Sequence, residues 1–514
     1  MSSAATPSMP ALSEDGKSIE IAGKQVPLWL VLAIVCIGQF MVVLDVSIVN
    51  VALPSIKKAL KFSTIDLQWI VNAYTVTFAG FLLLGGRAAD LFGRRRIFMV
   101  GLGLFTAASL LGGAAQNQAW LITARAVQGF GAAVLAPATL TIITATFAEG
   151  PSRAKALGVW SAVASAGASA GSLLGGILTD LLNWRWILLV NVPIGLAVLA
   201  VAIRFVPESK ADLTHRHLDA LGATTITGGL VAIVWGIVRT ETYGWGSAQV
   251  YVPLIIGVAL VGVFLYVQAR VSKAPLVPLR IFRSRSVAGG NVVIFLLFGA
   301  MFSSWYFETL YLQQVLGYSP LKAGLAFLPQ TVIIAGAAQI TARMVGRVGP
   351  RPLILGGALV SAGGMFWLSR IGAHSSYETA ILVPFILIGI GMGFFVTPVT
   401  VAGTAGVPRT DAGLASGLLN SSRTVGASIG LAALATLAAS RTTHALGHAA
   451  ATSARVAVAL TDGYSEVILV AAILLLAGGI ASMLLLPSLK PAPLVTQAHD
   501  PAVEPRPEPA IEGV

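Results

Sequence analysis

Residues 28–50 read LWLVLAIVCIGQFMVVLDVSIVN, a stretch of twenty-three residues whose one charge is Asp45. A bilayer core about 30 Å thick takes roughly 20 apolar residues in a helix, so this stretch has the length and polarity of a membrane span. Outward from it, thirteen more runs of the same kind follow: 67–86, 97–116, 120–145, 156–179, 186–206, 218–238, 251–269, 287–311, 323–345, 352–370, 377–400, 412–437 and 464–486. The whole chain agrees with that reading. Of its 514 residues 56% are hydrophobic and 11% charged, with mean hydropathy +0.84, whereas soluble domains carry about 25% charged residues. The sequence predicts an all-α membrane protein with 14 transmembrane helices.

An even number of spans places both termini on one side, and charge selects the side. Of the 33 Lys and Arg residues, 22 fall on the terminal side, 9 on the far side, and Arg125 and Arg423 within spans. That excess puts both termini in the cytoplasm; Lys57, Lys58 and Lys61 are a local exception. The net charge of +12 is spread over short loops between apolar runs, so nucleic acid is not an expected partner. Cys36 is the only cysteine, which excludes an intramolecular disulfide and a cysteine metal site, and the six histidines, all expected in loops, form no ligand-spaced group. Residues 1–27 lack the apolar region and cleavage site of a signal peptide. No segment is long enough for a separate ATPase, and no GxxxxGK[ST] phosphate loop is present. The energy source expected is therefore an ion gradient, with no cofactor.

A weak internal repeat appears at an offset of 256 residues. Gly86–Arg95 (GRAADLFGRR) aligns with Ala342–Arg351 (ARMVGRVGPR), each after a span that ends on the terminal side. Two related six-span halves with a site between them are a transporter architecture. The chain then divides into a disordered tail at 1–27, a six-helix bundle at 28–206, two inserted helices with linkers at 207–285, a second six-helix bundle at 286–487 and a disordered tail at 488–514.

In this frame the sequence resembles the fourteen-spanner drug:proton antiporters of the major facilitator superfamily (EmrB/QacA type), over residues 28–487. The resemblance rests on LDVSIVNVALP (Leu44–Pro54) in the first span, GRAADLFGRRR (Gly86–Arg96) after the second and RAVQGFG (Arg125–Gly131) in the fourth. The glycine series of the fifth span and WRWILLVNVPIG (Trp184–Gly195) complete it. It implies the major facilitator fold and, as function, proton-driven efflux of small amphiphilic compounds such as antibiotics by alternating access. A proton-coupled importer of a metabolite is the alternative on the same fold. A receptor or scaffold would move no substrate, and an enzyme would need a catalytic cluster that is absent from the sequence. The expected setting is the bacterial cytoplasmic membrane, as a monomer whose partners are lipid, protons and the small molecule.

The resemblance also assigns residues. Asp45 and Arg125, at similar depth, are expected to couple to protons, Asp45 binding the proton and Arg125 tuning it; charges at such depth are costly and line cavities or pair. Pairing and desolvation move a carboxylate's proton affinity in opposite directions, so parting the two would switch it. Gly86, Asp90, Gly93 and Arg94 form the expected latch, with Arg95 and Arg96 anchoring the loop; the second copy has Gly346 in place of Asp90. Gly158, Gly167, Gly171, Ser172, Gly175 and Gly176 follow the antiporter motif, except that Ser172 stands where a Pro usually does. Gly167, Gly171 and Gly175 are four apart and offer a close-packing face.

Candidate cavity residues are Gln39, Tyr74, Gln128, Trp305, Glu308, Asn420 and Arg423. Phe302, Phe307, Met365, Met392 and Phe394 could add an apolar lining for bulky amphiphiles. Asn50, Asn72, Gln330, Gln339 and Thr397 either line the cavity or bridge helices. Trp69, Trp120, Trp184, Trp186 and Trp245 sit at span ends and read as interfacial belt. Because only Asp45 and Glu308 are placed to meet a cationic drug, the substrates expected are neutral or weakly charged.

Overall fold

The computed structural model describes residues 18–21, 24–210, 217–408, 411–447 and 452–488. Fourteen helices are long and apolar enough to cross a membrane. The first six are α1 (Leu28–Leu60), α2 (Asp66–Phe92), α3 (Arg94–Gly113), α4 (Gln118–Thr146), α5 (Pro151–Leu181) and α6 (Trp186–Phe205). Two more, α7 (Ala220–Tyr243) and α8 (Ala248–Val271), form a hairpin. The last six are α9 (Arg285–Val315), α10 (Pro320–Val348), α11 (Pro350–Leu368), α12 (Tyr377–Thr404), α13 (Ala412–Leu446) and α14 (Ser453–Leu485). Every predicted span has its helix.

Several helices overrun the membrane. At 33 residues α1 is about 50 Å long, because the polar turn carrying Lys57 and Lys58 ends the apolar run without ending the helix. His444 lies in the last turn of α13 rather than in a loop. Residues 18–21 and 24–27, expected to be part of a disordered tail, form two antiparallel strands, β1 (Ser18–Ile21) and β2 (Lys24–Pro27), with Ile19 opposite Val26. Their alternating pattern turns Ile19 and Val26 inward, 1% and 3% exposed, onto the first bundle. Residues 1–17 and 489–514, called as tails, lie outside the described residues.

Helix starts follow local chemistry. The side chain of Asn117 accepts from Trp120 N at the head of α4, and Asp219 accepts from Gly222 N at the head of α7. The repeat reappears in the backbone: Gly93 before α3 and Gly349 before α11, 256 residues apart, have φ of 110° and 83°, a region that side chains disfavour.

Helices α1–α6 pack into one bundle and α9–α14 into another. The α7–α8 hairpin leans on both, with Thr227 against Gly80 of α2, the Trp235 ring 5.4 Å from that of Trp69, and Thr436 Oγ1 of α13 donating to Ile237 O. Trp69 is buried under this hairpin (8% exposed) and Trp184 within the core (6% exposed), so neither stands free at the interface. The outer face of α8 is apolar and exposed at Ile255, Val258 and Tyr266, as a lipid-facing helix requires.

The bundles meet on the side away from the termini. There Gln313 Nε2 of α9 donates to Val51 O of α1, Ser428 Oγ of α13 donates to Asn72 Oδ1 of α2, and α5 touches α10 backbone to backbone. Toward the terminal side α5 and α10 part, while Leu83 of α2 still reaches Gly417 of α13. Residues 151–164 of α5 are mostly exposed or half-buried, and a Cβ on Gly158 or Gly346 would meet nothing within 4 Å. The cleft is closed on the far side and open on the terminal side.

Candidate functional site

Asp45 is fully buried at the centre of the first bundle, and Arg125 is 2% exposed. Arg125 Nη1 donates to Asp45 Oδ2 at 2.5 Å and to Gln128 Oε1 at 2.6 Å, and its Nε donates to Ile70 O at 3.0 Å. Gln128 Nε2 donates to Asp45 Oδ1 at 2.7 Å and to Ser109 Oγ at 2.6 Å. Asn191 Nδ2 donates to Asp45 Oδ1 at 3.2 Å, and the guanidinium stands over the Tyr74 ring, 4.4 Å from its centroid. Five helices of the bundle thus converge on one carboxylate: α1 carries it, α2 supplies Tyr74 and Ile70 O, α3 Ser109, α4 Arg125 and Gln128, and α6 Asn191.

The depth argument from sequence brought Asp45 and Arg125 together correctly. Ser109 and Asn191 were missed. Asn191 lies inside a quoted motif, and as a lone amide in an apolar run it carried a usable signal; Ser109 in an Ala- and Leu-rich run carried none.

The sixth helix, α5, closes on the opposite face of α1. A Cβ on Gly171 would coincide with Ser47 Oγ, and one on Gly175 would stand 2.7 Å from Ile48 O. Ser172 and Gly176, on another arc, face the second bundle: the Ser172 carbonyl abuts Gly324, and Gly176 abuts Pro320 and Leu321. Ser172 Oγ is buried without a partner. One glycine-rich helix therefore packs within its own bundle and seals against the other. Gly158 stands clear of both.

At the expected latch, Asp90 pairs with Arg94 at 3.3 Å within its own turn of chain. The unforeseen member is Glu208, just past α6. Its carboxylate accepts from Arg95 N and Arg96 N, both at 3.2 Å, and Arg94 N donates to Ser209 O at 2.9 Å. An anion at a helix N-terminus is favourable, and here it ties α6 to α3. A Cβ on Gly93 would stand 2.6–2.8 Å from that carboxylate. Gly93→Ala is therefore expected to cost about 1–3 kcal/mol through its positive φ, read as a lowered thermal midpoint of the purified protein. Gly86→Ala, whose Cβ would sit 3.5 Å from Pro137, should leave the midpoint close to that of the unaltered protein.

The candidate cavity residues separate into two groups. Gln39, Tyr74, Gln128 and Glu308 are 7%, 1%, 1% and 3% exposed, closed inside the bundles and absent from the wall of the open cleft in this arrangement. Glu308 Oε1 accepts from Ser304 Oγ at 2.7 Å, among Leu368, Ile371, Ile381, Phe385 and Ile468. Phe307 and Met365 belong to the same core. Trp305, Phe302, Met392, Phe394 and Asn420 are half-buried, and Arg423 is exposed. The hydropathy of a run gives depth but not the rotational phase that separates these groups.

Fourteen membrane helices, gathered into two bundles around a cleft closed at one end, define a multi-pass membrane transporter of the alternating-access type. The family model described as Major Facilitator Superfamily matches residues 35–431, and the chain belongs to that superfamily. It is 43% identical over 413 residues to the "Cephamycin export protein CmcT" of Amycolatopsis lactamdurans, an alignment covering 80% of this chain and 85% of that one. It is 41% identical over 463 residues to the "Puromycin resistance protein pur8" of Streptomyces alboniger, covering 90% and 92%. A crystal structure of the peptide transporter POT in complex with sulfate shares the fold, with TM-score 0.62 and 16% identity over 91% of this chain and 97% of that one.

Proposed function

We propose that this protein is a proton-driven exporter of small amphiphilic compounds such as antibiotics, working by alternating access in the bacterial cytoplasmic membrane. The observation that carries the coupling is the Asp45–Arg125 pair, buried at membrane depth and held by the side-chain amides of Gln128 and Asn191. A carboxylate so placed exchanges a proton only when its surroundings rearrange, and rocking of the two bundles provides the rearrangement. Support for the direction comes from the relatives named for export of and resistance to antibiotics. With both termini in the cytoplasm, the arrangement described above is open inward. The proton gradient serves as energy source, no cofactor takes part, and the protein performs no covalent catalysis. It acts as a monomer, with lipid, protons and the small molecule as partners and no nucleic acid.

The test uses inside-out membrane vesicles holding an acid interior. Added antibiotics and dyes are expected to drive proton release from vesicles carrying this protein and not from vesicles lacking it. Compound uptake into right-side-out vesicles, with no proton release from inside-out ones, would instead identify an importer.

A further inference from the structure

Of the four charges deepest within spans, Glu308 and Arg423 make no ion pair among the described residues, and only Arg423 is open to the surroundings. Asp45 and Arg125 neutralise each other, and Glu308 is sealed among apolar side chains with one hydroxyl donor. Arg423 is exposed, and among the described residues it makes no ion pair; its one recorded partner is the ring of Phe298, 5.3 Å from the guanidinium. It lies eleven residues into α13. In a helix of 35 residues that is about 9 Å to the terminal side of the midpoint, within the roughly 15 Å half-thickness of the hydrocarbon core.

The packing of α13 shows where it points. Ser422 and Gly426 meet α9, Thr436 meets α7 with Val425 and Ile429 in the cluster shared by α7 and α2, and Gly417 and Ser428 meet α2. Arg423, with Asn420 three residues before it on the same side, falls on the arc left free, opposite α7 and between helices of the two bundles. That arc faces the cleft. Beside it, α9 carries Phe298, Phe302 and Trp305 at i, i+4 and i+7, one strip of half-buried aromatic surface.

We propose that Arg423 is the anion-recognition group of the cleft, and that the compounds bound there carry a carboxylate on an aromatic or otherwise apolar body. This rests on the reading of the cleft as a substrate path. A guanidinium presents a planar fork that pairs with both oxygens of a carboxylate, and the strip on α9 offers the apolar body a surface in line with it. An unpaired arginine is costly at that depth, and a substrate anion would offset the cost. Among the described residues the deep carboxylates, Asp45 and Glu308, are closed inside the bundles, so the same arrangement disfavours cationic drugs.

The experiment measures equilibrium binding of a pyrene carboxylic acid and its methyl ester to the purified full-length protein, by fluorescence. The acid should bind at least roughly tenfold more tightly than the ester, the range expected of a charge-assisted hydrogen-bonded contact. In Arg423→Gln the two should bind alike, with the ester unchanged. Arg423→Lys, which keeps the charge and loses the fork, should fall between. Since the acid–ester comparison is made within each protein, a partly misfolded variant still reports the ratio. Equal binding of acid and ester to the unaltered protein, or a preference for the acid that survives Arg423→Gln, overturns the proposal. Vesicle export of the same acid is followed separately. Arg423-dependent binding without any flux would leave this recognition standing and count against the exporter.

Discussion

Replacing Asp45 by Asn is expected to abolish compound-driven proton release from inside-out vesicles, and replacing Arg125 by Gln is expected to destabilise the protein more than replacing both. The reasons differ. Asp45 receives three side-chain donors, from Arg125, Gln128 and Asn191. A carboxylate only accepts, whereas an amide offers one acceptor oxygen and two N–H donors. In Asp45→Asn the new amide must therefore turn its NH2 toward at least one of these donors, and it has no proton to exchange. Arg125→Gln leaves a fully buried carboxylate without its cation, a change that costs about 3–5 kcal/mol where it has been measured in buried pairs. The double variant removes both charges together, so its thermal midpoint should lie above that of Arg125→Gln alone, a non-additivity expected of groups in one network. Undiminished, proton-dependent export by Asp45→Asn would remove the coupling role. Strictly additive losses of stability would mean that Asp45 and Arg125 do not act as a pair.

That pair also shows what a sequence discloses and what it withholds. Span length and the flanking charges gave fourteen helices, because the bilayer imposes one length scale on every apolar run. Depth along two antiparallel spans brought Asp45 and Arg125 level. Gln128 was visible one turn beyond Arg125. Asn191 and Ser109 reach the same cluster from α6 and α3, and nothing in their local sequence specifies how those helices are rotated. Rotation likewise separates Glu308, turned into its bundle, from half-buried Phe302 less than two turns earlier on α9. Glu208 caps α3 from more than a hundred residues downstream, a contact invisible to any local pattern. Strands β1 and β2 leave no trace among the apolar runs, because a four-residue strand alternating Ile with polar residues is too short to register as one.

Substitution of Gly176 by Leu is expected to stop transport by a different route, through the equilibrium between the two openings of the cleft. In the arrangement described here a Cβ at this position would lie 2.7 Å from Pro320 O and 2.8 Å from Leu321 Cα. These are backbone atoms at the start of α10, which cannot turn aside as a long side chain would. Overpacking a tight contact costs about 1–3 kcal/mol or more, and each 1.4 kcal/mol is about a tenfold change in a population. The far-side seal should therefore lose roughly ten- to a hundredfold in population to the arrangement in which α5 and α10 part there and approach on the terminal side. Gly158 on the same helix has open space around it in the present arrangement, so Gly158→Leu leaves this arrangement unstrained and should act in the opposite sense if α10 closes over it. Spin labels placed through Lys155→Cys on α5 and Arg347→Cys on α10, both exposed near the terminal side, would report the change as a distance. Gly176→Leu should shorten it and Gly158→Leu should not. An unchanged distance distribution together with normal export by Gly176→Leu would show that α5 and α10 do not form the seal about which the bundles alternate, whereas a shortened distance with export lost would place the gate at Ser172, Gly176 and Gly324.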